Sequence, residues 1–280
     1  MSFLQKIANK NNLELVDVRR LSGGDINDVY LLKCTSENYV IKTNSASKFP
    51  TMFEAEADGL ELLSASESFK IPSVITYGQE EDVSYLLMEY IAQGHASSGF
   101  WSVFAENLAK MHRTTNPTFG LDRSNYIGSL TQYNFEESSA SDFYINQRLI
   151  PQFKMADERG FQFQGLETFF SNISNEIPNE QPSLLHGDLW SGNYLVSEDG
   201  NPVLIDPAVV YGPREMDIAM MHLFGGFSET VFQFYDEIFP MEPKWEERIS
   251  FWQLYYVLVH LNIFGAGYLP QVKSILKRFS

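Results

Sequence analysis

The feature of this chain that most narrows its fold is a spacing of oxygen-bearing side chains. Within His186-Gly187-Asp188-Leu189-Trp190-Ser191-Gly192-Asn193 a carboxylate and a carboxamide stand five residues apart, so one loop can aim both. Thirteen residues beyond Asn193, Asp206 ends the apolar run Val203-Leu204-Ile205, which reads as a short strand. A hairpin between Tyr194 and Ile205, turning at Glu198-Asp199-Gly200-Asn201, brings Asp206 back beside Asn193. Such a set suits phosphoryl transfer. Asp188 can face a substrate hydroxyl, while Asn193 and Asp206 offer oxygen to Mg²⁺, a hard cation that fills its other positions with water and phosphate.

Protein kinases build their metal site in this order, with a catalytic-loop Asp, an Asn and a second Asp. A lone Asp-to-Asn spacing is common in polar loops. The flanking His-Gly, the apolar strand and the Asp that ends it are what give the pattern weight.

The remaining sequence fits that layout. At 280 residues the chain can bury a sizeable core, and its apolar and charged fractions, 44% and 20%, are those of an ordinary globular protein. A net charge of −16 argues against nucleic acid or an anionic membrane as partner, since both select a Lys/Arg surplus. The single cysteine, Cys34, permits no intramolecular disulfide and suits a reducing compartment. The amino-terminal residues lack a long apolar segment, so no secretory signal is expected and a cytoplasmic location is. The charge-free stretch Phe251 to Leu269 is interrupted by Gln253, His260, Asn262 and two glycines and reads as a buried helix.

Residues 1–90 are strand-rich. Strands are expected at Leu13 to Leu21, Val29 to Cys34, Asn38 to Thr43, Ser73 to Tyr77 and Val83 to Glu89, with a helix at Thr51 to Leu63. Residues 91–280 open on a Gly/Ser-rich linker, and outside the catalytic hairpin nearly everything there reads as helical, including Ser141 to Glu158. The expected fold is α+β and two-lobed: a small antiparallel β-rich lobe over 1–90 and a larger helical lobe over 91–280, with the cleft between them.

A nucleotide-binding constellation follows. Gly23 and Gly24 sit between the first two expected strands, where glycine lets backbone N–H groups approach phosphate. The full Gly-x-Gly-x-x-Gly pattern is absent, and a plain hairpin turn is the competing reading. Lys42 ends the third strand and Glu56 follows fourteen residues later on the helix, the pair that grips phosphates in kinases. Met88, Glu89 and Tyr90 leave the small lobe where an adenine edge would meet backbone. Of the histidines, His186 is expected to brace the loop and His112 to be structural; His95, His222 and His260 show no metal-ligand spacing.

With these residues in view, His186 to Asn193 resembles the signature of the fructosamine kinase (ketosamine-3-kinase) family, part of the wider aminoglycoside-phosphotransferase-like and choline-kinase-like group. Trp190 is the position particular to fructosamine kinases. Further matches include Ser22-Gly23-Gly24, Met52 to Ala57, Leu87-Met88-Glu89, Arg148-Leu149-x-x-Gln152, Ile205-Asp206-Pro207-Ala208, Tyr211-Gly212 and Phe224 to Phe227. The resemblance implies a protein-kinase-like fold and ATP-dependent phosphorylation of the 3-hydroxyl of ketosamines, a deglycation repair activity. It implies Asp188 as catalytic base, Asn193 and Asp206 as Mg²⁺ ligands, and Lys42 with Glu56 as phosphate clamp. It further implies Met88 to Tyr90 as the adenine hinge and Asp217 as the residue anchoring the catalytic loop from beneath. Tyr126-Ile127-Gly128-Ser129 and Arg148 fall on the substrate side by family position.

Asp206-Pro207-Ala208 stands where protein kinases carry Asp-Phe-Gly, and no activation loop is evident before Asp217, so a constitutively active monomer acting on a free or protein-bound ketosamine is expected. Two alternatives stay open: a kinase of another amino alcohol or aminoglycoside, and a nucleotide-binding pseudokinase.

Overall fold

The computed structural model describes residues 3–21 and 26–280, so the expected phosphate-covering Gly23 and Gly24 lie outside the described residues. Helix α1 (Phe3–Lys10) leads into strands β1 (Leu15–Arg20), β2 (Asp28–Cys34) and β3 (Asn38–Ser45). Helix α2 (Met52–Ala65) and the hairpin β4 (Val74–Glu80) and β5 (Val83–Glu89) follow. These five strands form one antiparallel sheet in the order β1-β2-β3-β5-β4.

The unbroken apolar run in β5 has a simple cause. The strand lies between β3 and β4, and both of its faces are covered. Successive side chains leave a strand on opposite sides. Tyr85 and Leu87 therefore join Leu32, Ile41 and Ile7 of α1 on one face. Leu86 and Met88 join Phe53, Ala57, Leu60 and Leu63 of α2 on the other.

Beyond Glu89 the chain is mainly helical: α3 (Phe100–His112), α4 (Ala140–Asp142), a π-helical segment (Phe143–Leu149), α5 (Ile150–Glu158) and α6 (Leu166–Glu176). Then come α7 (Glu215–Phe224), α8 (Glu229–Ile238), α9 (Trp245–Phe264) and α10 (Leu269–Phe279). Three short ladders lie among these helices: β6 (Asn125–Ile127) with β7 (Leu130–Gln132), β8 (Ser183–Leu185) with β11 (Val210–Gly212), and β9 (Tyr194–Val196) with β10 (Pro202–Leu204). The sequence reading foresaw only the last. The other strands are three residues each, too short to show alternation. The single helix expected over Ser141 to Glu158 is instead divided by the π-helical stretch, a feature often found near functional sites.

The charge-free segment is helix α9, buried on nearly every side from Phe251 to Val259. Among the described residues no helix is long and apolar enough to cross a membrane. At its start Arg248 donates to both oxygens of Glu215 (2.8 and 2.5 Å), which also accepts the Trp252 indole N–H at 2.7 Å. This buried cluster ties α9 to α7 two residues before Asp217.

Candidate active site

The loop His186–Asn193 leaves β8 and enters β9, and the β9–β10 hairpin returns the chain to Asp206 as expected. Ile205 N–H donates to the Asn193 carbonyl at 3.0 Å. Asn193 Nδ2 donates to the Asp188 carbonyl (2.8 Å), to Asp188 Oδ2 (3.1 Å) and to the Asp206 carbonyl (3.4 Å). The three residues named from spacing therefore come together on one cavity.

The loop is held from beneath by Asp217, fully buried on α7. Its carboxylate accepts the backbone N–H of His186 at 2.8 Å and of Gly187 at 2.9 Å. His112, also fully buried, bridges Asp217 (3.3 Å) to the Tyr235 hydroxyl (2.7 Å), which makes it structural. His186 Nε2 meets the Ile205 carbonyl at 2.9 Å, so this nitrogen is the donor; Nδ1 then accepts Asp188 N–H at 3.3 Å. Burial holds both imidazoles below the usual histidine range, and His186 braces the loop as a neutral ring. Gly187 has φ +82°, and a Cβ there would sit 2.0 Å from the Ala208 carbonyl oxygen. Only glycine lets the two strands of the site lie this close.

Lys42, on β3, is buried and lies 2.5 Å from Glu56 Oε1 on α2 and 2.5 Å from Asp206 Oδ1. Burial alone would lower its pKa; the adjacent Asp206 and Glu56 carboxylates outweigh burial and raise it, so the ammonium stays charged. Asp206 takes φ +55°, a left-handed conformation that a non-glycine residue rarely adopts. Its side chain is 41% exposed and faces the open space beyond. Asp188 differs from it: burial pushes its carboxyl up to about 7, the charges of Asp206 and Asp217 add to the rise, and the Asn193 hydrogen bond opposes it.

These groups line a cavity of about 580 Å³. Lys42 and Glu56 form one wall, Asp188, Asn193 and Asp206 the floor, and Tyr126 to Gly128 of the β6–β7 turn a side. The opposite wall is aromatic. Trp190 meets Phe224 edge-on (6.4 Å between centroids), Phe224 leads to His260 (5.0 Å), and His260 packs on Phe264 (5.5 Å) and Tyr268 (5.1 Å). A Cβ at Gly192 would lie 2.3 Å from the Trp190 ring, so that glycine makes room for the indole. Sequence reasoning missed Phe264 and Tyr268 and treated His260 only as an interruption of an apolar helix. Its one signal was a polar ring inside an otherwise charge-free run.

One expectation changes. Arg148 does not reach the cavity. It is fully buried and donates to the carbonyls of Tyr133 and Gln147 and to Asn134 Oδ1, because the π-helical turn directs it inward. Met88, Glu89 and Tyr90 are likewise not among the residues lining this cavity. Met88 packs into the core beneath α2. Glu89 N–H is taken by the Ser73 carbonyl, and its carboxylate accepts Ser73 N–H at 3.1 Å, so any adenine contact there falls to backbone groups other than that N–H.

Asn193 and Asp206 suit a hard cation as oxygen donors. Among the described residues no three His, Cys, Asp or Glu side chains gather into a metal cage. A cation here would complete its shell with phosphate and water oxygens, the habit of Mg²⁺ at nucleotide sites.

A family model described as "Fructosamine kinase" matches residues 2–280. A "probable ketoamine kinase" of Enterococcus faecium (strain ATCC BAA-472 / TX0016 / DO) is 40% identical over 263 residues, covering 92% of this chain and 93% of that protein. One of Synechocystis sp. (strain PCC 6803) is 37% identical over 263 residues, covering 93% and 89%. The solved structure of a fructosamine-3-kinase homologue from Haemophilus somnus 129PT matches with a TM-score of 0.89 at 28% identity, covering 98% of this chain and 95% of that one. Aminoglycoside phosphotransferase APH(4)-Ia matches with a TM-score of 0.66 at 16% identity, covering 99% and 98%, a likeness of fold alone.

Proposed function

Because the chain belongs to the fructosamine kinase family, phosphotransferases that act on a hydroxyl group, we propose that its acceptor is a ketosamine and its donor Mg-ATP. The observation that carries this reading is the convergence of Asp188, Asn193, Asp206 and the Lys42–Glu56 pair on one cavity whose far wall is aromatic. A ketosamine joins a hydroxyl-rich sugar to an amine. Trp190, Phe224 and His260 offer ring faces to the sugar carbons and, for a protonated amine, a cation–π surface.

In this reading the 3-hydroxyl oxygen of the sugar attacks the γ-phosphorus and the bond to ADP breaks. Asp188 accepts the hydroxyl proton at its carboxylate and orients the nucleophile. Lys42, held by Glu56, places positive charge against the phosphates, and Asn193 and Asp206 would hold Mg²⁺, which when bound would supply further neutralising charge there. A 3-phosphorylated ketosamine is labile and frees its amine, so the outcome is deglycation.

Incubating the protein with Mg-ATP and ribulosamines, fructosamines, aminoglycosides and choline, with products followed by mass spectrometry, tests the proposal. Phosphorylated ketosamine is expected. Transfer to choline or an aminoglycoside alone would replace this acceptor class, and tight nucleotide binding without transfer would indicate a non-catalytic protein.

A further inference from the structure

Beneath Asp206 lies a set of buried side chains that the chemistry above leaves unused. Asn125, Gln132, Asn134 and Arg148 are each at least nine-tenths buried. Their hydrogen bonds interlock. Gln132 Nε2 donates to the Ala208 carbonyl (3.1 Å) and to Asn125 Oδ1 (2.8 Å), and Gln132 Oε1 accepts the Tyr255 hydroxyl (2.7 Å). Asn125 Nδ2 donates to the Val209 carbonyl at 2.8 Å. Asn134 Nδ2 donates to Asn125 Oδ1 (2.9 Å) and to the Arg123 carbonyl (3.1 Å), while its Oδ1 accepts Arg148 Nη2 (2.8 Å). Each amide is thereby fixed in one orientation by its neighbours, and the chain ends on the carbonyls of Ala208 and Val209.

Among the described residues Arg148 has no carboxylate partner. Its guanidinium lies over the Phe143 ring (4.5 Å to the centroid) and Tyr255 (5.5 Å), and its Nη1 and Nη2 donate to carbonyl oxygens. A buried cation so placed serves as a donor that sets the direction of the whole relay. On the other side α2 presses on the same segment: a Cβ at Gly59 would stand 3.0 Å from Val209 Cγ2. Between these supports Asp206 holds φ +55°. A residue stays in such a conformation only where its surroundings over-determine it.

We propose that Asn125 and Gln132, oriented by Asn134, Arg148 and Tyr255, are positioning residues for Asp206. By holding the carbonyls of Ala208 and Val209 they keep the Asp206 turn left-handed and its carboxylate on the cavity side. The proposal rests on the reading that Asp206 holds the metal ion.

Gln132→Met keeps the volume and removes the donors. Two readouts apply to the folded variant: hydrogen exchange of backbone amides across residues 205–209 in the ligand-free protein, and binding of Mn²⁺ in the presence of ADP, followed by electron paramagnetic resonance. Faster exchange confined to that segment is expected, with Mn²⁺ affinity lower by about tenfold or more, the usual effect of losing a residue that supports a metal ligand. If Gln132→Met does not fold, Tyr255→Phe removes only the hydroxyl that orients Gln132 and is read in the same way. Unchanged exchange in a folded variant would overturn the proposal. So would faster exchange with normal Mn²⁺ binding, provided Asp206→Asn abolishes that binding. If Asp206→Asn also binds Mn²⁺ normally, the metal assignment fails while faster exchange still supports the hold on the turn.

Discussion

Asp188 and Asp206 are both carboxylates of one site, yet their surroundings separate them. Asp206 lies against the Lys42 ammonium, whereas Asp188 has no cation partner among the described residues and is pushed up to about 7 by burial. A proton acceptor near neutrality suits a base. We expect kcat/KM for Mg-ATP to fall about tenfold per pH unit below about 7, because the free protein then carries a protonated Asp188. A divalent cation nearby favours the charged form, so the break in kcat should lie lower than the break in kcat/KM. Coincident breaks would count against a metal beside Asp188. Asp188→Asn should abolish turnover while leaving nucleotide affinity near normal by calorimetry; retained turnover would reject Asp188 as the base. The same substitution should stabilise the fold. A carboxyl whose folded pKa lies above its ordinary value binds its proton more tightly when folded, so stability is lost as pH rises toward about 7 and stays lost above it. The neutral amide escapes that loss, so the Tm gain should be larger at pH 8 than at pH 5.

At the scale of elements, the site hangs on α7. Asp217 satisfies two buried N–H groups of the catalytic loop, and Glu215 on the same helix anchors α9. Asp217→Ala would orphan His186 N–H and Gly187 N–H, each worth about 1–3 kcal/mol when left unpaired. We expect a loss of about 3 kcal/mol or more by denaturant midpoint, with kcat reduced more than KM for ATP. A variant as stable as the parent would show that the loop does not depend on this carboxylate. Here the limits of sequence are physical. Lys42, Glu56, Asp188, Asn193 and Asp206 were legible because each sits at a set distance from a strand or helix that betrays itself by periodicity. The β6–β7 hairpin was not. Asn125 and Gln132 are buried polar residues on three-residue strands, and their partners lie as far as 123 residues away in the chain. No local pattern announces such a network, and Arg148 was placed on the substrate side by family position alone. Phe264 was hidden for a different reason: a helix apolar nearly all round shows no face to choose, and Tyr268 lies just beyond its end.

Over the whole molecule, one apolar core runs from Leu86 and Met88 of the sheet through α2 and Phe104 of α3 to Leu189 beside Asp188 and Ile218 of α7. The Lys42–Asp206 pair crosses the same boundary at the surface of the cavity. Sheet and helices should therefore melt together. Saturating Mg-ADP, at a hundred times its Kd, should raise a single Tm by about 5 °C or more. Asp206→Asn should lose the metal-dependent part of that rise. Two transitions, only one of which responds to ligand, would contradict the shared core.

The segment after Asp206 is short, paired to β8 through β11, and gripped by amides below and by α2 above. On the function proposed above, a segment gripped on both sides would leave turnover to follow the number of copies present and the supply of acceptor and nucleotide.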